Sequence, residues 1–365
     1  MSAVPARLSP FGIRYDAKTV RFVSALLALA LLQAPMALPP TRDQLFALFG
    51  GYLESLRAQA GIPGLAAAIV DMDGIAWEQA FGYQDVGRLV GARTDTPFHL
   101  DGVTQVFAAT LVLQCVEQGH LTLDTPIRTF NPNSPDANAT IGQILTHTSG
   151  DANDPTFIYR PSRLDVLASV VSTCTGGSFR SAVATLLDRH AMIASVPGPD
   201  AATDPAVASD AARYTSVLGR LAVPYSVDAQ GRPSPSRYAA TTLTPSSGLI
   251  STVLDYAQFD LGLRRGLLLS ANTLAAAWRA PVALNGRTLP HGQGWFVQTY
   301  NGEPVVWQFG QGANASSSLV MTLPARGITL VLLANSDGLA KPATLAAGDI
   351  SVSPFARLFF QVLVK

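Results

Sequence analysis

Lysine is nearly missing from this chain of 365 residues: it occurs three times, as Lys18, Lys341 and Lys365, against 25 lysines and arginines together. The residues three positions before them are Tyr15, Gly338 and Val362. No serine therefore sits one helical turn before an amine that could take its proton. No Gly-x-Ser-x-Gly turn occurs either, which removes the other common setting of a nucleophilic serine. Charge of both signs is scarce: Asp, Glu, Lys and Arg make up 14% of residues, against a usual share of about 25%. With zero net charge and no charge run, nothing recommends nucleic acid as a partner. Cysteine is limited to Cys115 and Cys174, and neither has metal-ligand spacing with the five histidines. No glycine-rich phosphate loop follows a strand, so neither a metal site nor a cofactor is expected.

What is present is apolar, 48% of the chain, and the length fits two domains or one large composite fold. Arg7, Arg14, Lys18 and Arg21 precede an apolar run, Phe22 to Leu32, closed by Gln33 and Pro35. That run has the length of a signal-peptide core and falls short of the roughly 20 residues of a membrane span. It is read as a cleaved export signal, with an uncleaved anchor through residues 22–38 or an ordinary core helix as alternatives. Residues 1–40 are accordingly set apart from a domain over 41–365, and the chain is expected in the periplasm or on the inner membrane. Cys115 and Cys174 are read as two free buried thiols; a single disulfide is the alternative for an exported chain.

After Leu38-Pro39-Pro40, Thr41 caps an amphipathic helix with apolar Leu45, Phe46, Leu48, Tyr52, Leu53 and Leu56. Leu65–Val70 predicts a buried strand, Asp71–Gly74 a hairpin turn, and Ile75–Tyr83 the partner strand. Val103–Val116 is apolar except for Thr104, Gln105, Thr110 and Gln114, which predicts a helix buried on most sides and stopped by Gly119. Ser195–Arg237 has little periodicity and is read as a long loop over a cleft. Gly294–Tyr300, Pro304–Phe309, Ser316–Leu323 and Ile328–Ala334 predict four strands of a meander, with turns at Asn301-Gly302 and Pro324–Gly327, and Ser353–Val364 a closing helix.

Several blocks share one resemblance. Phe98-His99-Leu100-Asp101-Gly102-Val103-Thr104-Gln105-Val106-Phe107 resembles the nucleophile helix of the serine β-lactamase, D,D-peptidase and related esterase family, which usually reads Phe-x-Ile-Gly-Ser-x-Thr-Lys-x-Phe. Gly119-His-Leu-Thr-Leu-Asp-Thr-Pro126, Ile141–Gly150 and Thr244–Phe259 resemble later blocks of the same family. The resemblance implies an α+β fold of the β-lactamase/transpeptidase type: an antiparallel sheet from about 41–100 and 286–365, flanked by helices, and a mostly helical region from about 101 to 285 inserted between. His147 and Ser149 fall in a block that the resemblance makes structural, and Ser246 and Ser247 are read as turn residues between Pro245 and Gly248.

The same resemblance assigns the site and shows it degenerate. Gly102 and Gln105 stand where the family has its Ser and Lys; glycine has no side chain and an amide takes no proton at useful pH. Tyr159 is kept from the second motif, but its companions are Arg160 and Pro161. Gln308-Phe309-Gly310 takes the place of Lys-Thr-Gly. The backbone N–H groups at Gly102 and near Gln311 would form the oxyanion hole. Asp101, where the family has Gly, is read as the helix N-cap, a carboxylate that would repel a penicillin or peptidyl-D-alanine carboxylate. No catalytic set is intact at Gly102, Gln105, Tyr159, Gln308 and Gly310. Ligand contacts are assigned to Asp101, Gly102, Tyr159, Gln308, Gly310 and Gln311. The chain is therefore expected to be a pseudoenzyme that binds a small ligand or a protein partner in the old cleft. The alternative is a hydrolase with an unrecognised nucleophile, Tyr159 or Thr104.

Overall fold

The computed structural model describes residues 39–149, 155–283 and 285–364, so the leader reading, which rests on residues up to 38, lies outside them. The chain divides between Gln44 and Leu45, and the second unit, Leu45–Lys365, is compact. Among the described residues no helix is long and apolar enough to cross a membrane.

The second unit is built on one antiparallel sheet of seven strands. In chain order these are β1 (Gly64–Val70), β2 (Ile75–Asp85), β3 (Val90–Gly91), β4 (Phe296–Tyr300), β5 (Glu303–Gly312), β6 (Ser316–Leu323) and β7 (Ile328–Ala334). Their spatial order is β4-β5-β6-β7-β1-β2-β3, so the first and last parts of the chain meet where β1 pairs with β7, Leu65 opposite Ala334. Asp71 Oδ1 accepts the N–H groups of Asp73 and Gly74 and closes the β1–β2 turn. Asn301 and Gly302, with φ of 51° and 80°, supply the left-handed pair that a tight β4–β5 hairpin requires.

Both faces of the sheet are covered, which is why β1 and β6 are buried at every position. On one face Ala66, Ala68, Val70, Val306, Val320, Val331 and Leu333 meet the helical region. On the other, Leu65, Ala67, Ile69, Trp307, Met321 and Leu332 pack with Phe49 and Leu53 of the first helix and Phe355 and Phe359 of the closing helix, Pro354–Leu363. The alternation of side chains along each strand places successive residues in the two cores. The architecture is the β-lactamase/transpeptidase-like α+β fold expected, with an antiparallel sheet and flanking helices.

The central helix runs Thr104–Glu117, entered through a single 3-10 turn, Asp101–Val103. It is buried nearly all round, and Gly119 leaves it with φ of 73°. Two expectations are corrected here. Cys115 and Cys174 are not free thiols: they form a disulfide that ties the central helix to helix Leu167–Thr175. Residues 195–237 are not a plain loop. They hold helix Ala211–Leu218 and a small hairpin of Tyr225–Val227 with Pro233–Pro235. Val196, Ala201, Val207, Tyr214, Val217 and Ile250 give them a core of their own. Short spacing between apolar residues in 3-10 turns hid that core from a search for helical or strand periods.

Candidate active site

β4 is shorter than β5. Phe296 opposite Trp307 is their last pair, so residues 308–312 of β5 extend past their neighbour and leave one edge open. The turn Leu100–Gly102 packs over this stretch of β5 and the neighbouring β6. A Cβ on Gly310 would collide with Leu100 O, and one on Gly312 would lie 2.8 Å from Asp101 Oδ1, so glycine is needed at both positions for the turn to approach. Serines on β6 pin the turn. Ser318 Oγ donates to Leu100 O (2.6 Å) and Ser316 Oγ to Asp101 Oδ2 (2.7 Å). Ser317, pointing to the opposite face, donates to Ser336 O.

Asp101 is therefore not the helix cap that the sequence suggested: no side chain caps the 3-10 turn or the helix that follows. Its φ of 47° lies in the left-handed region, where the related family's glycine would sit without strain and Asp is tolerated. The carboxylate turns toward the sheet, where Ser316 Oγ–H and Gly312 N–H donate to it. Only 6% of the residue is exposed. Burial pushes its carboxyl up to about 6, against the pull of those two donors.

Gly102 forms the floor. A Cβ built on it would stand 2.5 Å from the carbonyl oxygen of Phe309 and 3.4 Å from Gly310 Cα. That obstacle is backbone, not the free end of a side chain, so no β-carbon fits unless β5 moves.

Gln105 is fully buried and sits in a directed chain of neutral hydrogen bonds. Arg160 N–H donates to His147 Nδ1 (3.4 Å), which leaves the ring proton on Nε2. That Nε2–H donates to Gln105 Oε1 (2.9 Å), and Gln105 Nε2–H donates to Tyr159 Oη (3.0 Å). The phenol oxygen is thus an acceptor toward the helix, and its own O–H is free to donate into the cleft. Burial holds the His147 imidazole well below its ordinary range, helped by the charges of His291 and Arg163. His291 stands edge-on at 4.7 Å, its pKa lowered by burial to about 4. Burial raises the Tyr159 phenol, opposed by the Gln105 bond.

A cleft of about 640 Å³ opens above this floor, with Asp101, Gly102, Tyr159, Ser246, Phe309 and Gln311 among its walls. Of the assigned ligand contacts, Asp101, Gly102, Tyr159 and Gln311 line it. Gln308 and Gly310 are not among its lining residues. Gln308 is fully buried, donating to Gly294 O (3.3 Å) and accepting from Phe309 N (2.9 Å). Gly310 lies behind the docked turn. Thr104 is also buried, its Oγ1 accepting Leu249 N–H (3.3 Å). Ser247 closes a turn with Thr244, and Ser246 N–H donates to Asp165 Oδ1. Sequence reasoning missed Ser316, Ser318 and the partnership of His147 with Gln105. The one available signal was Ser316-Ser317-Ser318 in a buried strand, where each hydroxyl needs a partner.

The family model described as beta-lactamase matches residues 49–351. The chain belongs to the beta-lactamase family. Penicillin-binding protein 4 of Amycolatopsis lactamdurans is 38% identical over 128 residues, a match that spans 33% of this chain and 33% of that protein. Among solved structures, the octameric penicillin-binding protein homologue from Pyrococcus abyssi aligns with a TM-score of 0.69 and 17% identity, over 87% of this chain and 77% of the other. The D-alanine carboxypeptidase AmpC from Burkholderia cenocepacia aligns with a TM-score of 0.68 and 16% identity, over 89% and 99%. At those identities the structural likeness speaks for the fold alone. Within this beta-lactamase-family chain, the cleft floor consists of Gly102 and the Phe309 carbonyl, and Gln105 is held by His147 and Tyr159.

Proposed function

We propose that this beta-lactamase-family chain does not perform acyl-enzyme chemistry and uses its cleft to bind a ligand or partner. The observation that carries the reading is the floor itself. Position 102 has no side chain, and the Phe309 carbonyl oxygen stands 2.5 Å from where a β-carbon would be. Loss of the nucleophile in a hydrolase lowers the rate by about 10⁶, and an intact oxyanion hole alone gives about 10³–10⁴ over water.

Neither substitute nucleophile gains support. Thr104 Oγ1 is buried and engaged with Leu249 N–H. Tyr159 would need its phenol pKa lowered to attack, and burial raises it. The proposal includes export, supported by the Cys115–Cys174 disulfide, because such bonds persist in oxidising compartments. The experiment is covalent labelling with a fluorescent penicillin and an activated fluorophosphonate. The expected result is an unlabelled band. Stoichiometric attachment to one residue would overturn the reading.

A further inference from the structure

We infer that the cleft recognises a ligand carrying an ammonium group, seated against the Asp101 carboxylate, with a hydrogen-bond acceptor set toward the Tyr159 hydroxyl. The inference deepens the binding role proposed above and rests on it. It starts from the charge of the walls. Around the cleft stand Asp101, Gly102, Tyr159, Pro161 and Ser162, the β5 residues Phe309, Gln311 and Gly312, and Ala313, Ala239, Ala240, Ser246 and Ser247. Among these described residues there is one carboxylate and no lysine, arginine or histidine. Gln105, at the position where the related motif carries a cation, is a neutral amide whose two ends are already bonded to His147 and Tyr159.

The one charged side chain among these lining residues is thus a carboxylate, the reverse of the donors that an anionic acyl group needs. A carboxylate only 6% exposed acts through a low effective dielectric, so an unpaired anion brought beside it is repelled strongly and an ammonium is attracted. At pH 7.5 Asp101 is ionised, since its carboxyl titrates near 6. The Tyr159 O–H complements this carboxylate: with Gln105 donating to its oxygen, its proton is directed at an acceptor such as an ether, hydroxyl or amide carbonyl. The walls contributed by Ala239, Ala240, Ala313 and Pro161 accommodate an apolar body.

The test compares three probes of one shape, benzylammonium, benzyl alcohol and benzoate, by calorimetric titration of the intact protein at pH 7.5. The expected order is benzylammonium tighter than benzyl alcohol by about fivefold or more, and benzoate weakest. In Asp101→Asn the ammonium preference should fall to near unity. Because that residue is buried, a rim variant accompanies it: Gln311→Arg adds a cation at an exposed position and should weaken benzylammonium about threefold while strengthening benzoate. Benzoate binding as tightly as benzylammonium, an unchanged preference in both variants, or no binding of any probe at about 20 mM would each overturn the inference. A benzoate preference in a chain that the penicillin probe leaves unlabelled defeats this inference and not the noncatalytic reading. Labelling by the penicillin probe defeats the noncatalytic reading, and the inference with it.

Discussion

The two ends of the central helix are held by different kinds of contact. At its C-terminal end, Cys115 is bonded to Cys174, Gln114 Nε2–H donates to Leu268 O, and Glu117 Oε1 accepts Ser270 N–H. Those ties join helix to helix and serve packing. At its N-terminal end the ties run to the sheet and into the cleft: Asp101 to Ser316 and Gly312, Leu100 to Ser318, Gln105 to His147 and Tyr159. There the polar side chains bond to the sheet and to one another, and the Phe309 carbonyl oxygen stands 2.5 Å from where a Gly102 β-carbon would be. One helix thus has a packing end and a cleft end. If that contrast holds, damage at the two ends should show in different measurements.

The largest effect is expected at the packing end. The Cys115–Cys174 bond closes a loop of 59 residues, and opening such a loop is associated with a loss of about 3–4 kcal/mol. The variant Cys115→Ala with Cys174→Ala should melt roughly 5–10 °C lower than the parent in oxidising buffer. Its affinity for cleft probes should stay the same. A parent-like melt, or a cleft that loses its ligands with the bond, would erase the distinction between the ends.

The next effect sits at the floor. Gly102→Ser places a Cβ 2.5 Å from Phe309 O, and forcing extra volume against fixed backbone costs about 1–3 kcal/mol. Gly102→Ala should lose the same amount, because the β-carbon and not the hydroxyl makes the collision. Urea denaturation of both variants checks this. Parent-like stability would mean that β5 yields easily and the floor is open to repair. A Gly102→Ser, Gln105→Lys chain that hydrolyses an activated ester would say the same more forcefully.

How much of this was legible in the sequence differs between the same two regions. The helix, the hairpins and both cores follow from local signals, such as Asn301-Gly302 for a turn and the apolar run after Val103. That Gly102 and Gln105 stand where the resembling family has its Ser and Lys was legible as well, because both are letters in the chain. Geometry across the chain was not. Asp101 before a helix reads as a cap, and only its φ of 47° and the approach of Ser316, 215 residues away, turn the carboxylate to the sheet. Gln308 sits in a motif position yet faces backbone, because β5 outruns β4. The cysteines read as free for the same reason: their spacing carries no record of two helices packed side by side.

The smallest effect is the most diagnostic of the site end, since it should have a sign opposite to ordinary damage. Burial raises the Asp101 carboxyl from an ordinary 3.8 to about 6, so between those values the folded chain holds a proton that the unfolded chain has released. Stability contributed by this group is then present below about pH 4 and is lost as pH rises through about 6. The groups that face it are the Ser316 hydroxyl, the Gly312 N–H and the Tyr238 phenol, itself raised by burial and by the Asp101 charge. Asp101→Asn removes the ionisation, keeps an acceptor for Ser316 and tolerates the left-handed φ. It sets an amide against a backbone donor at Gly312, which offsets part of the gain. The variant should be about 1–2 kcal/mol more stable than the parent at pH 7.5 and no more stable at pH 4. Urea melts at the two pH values decide it. A variant less stable than the parent at pH 7.5 would mean that the charge itself holds the turn on β5, and the floor would then be an ionic construction.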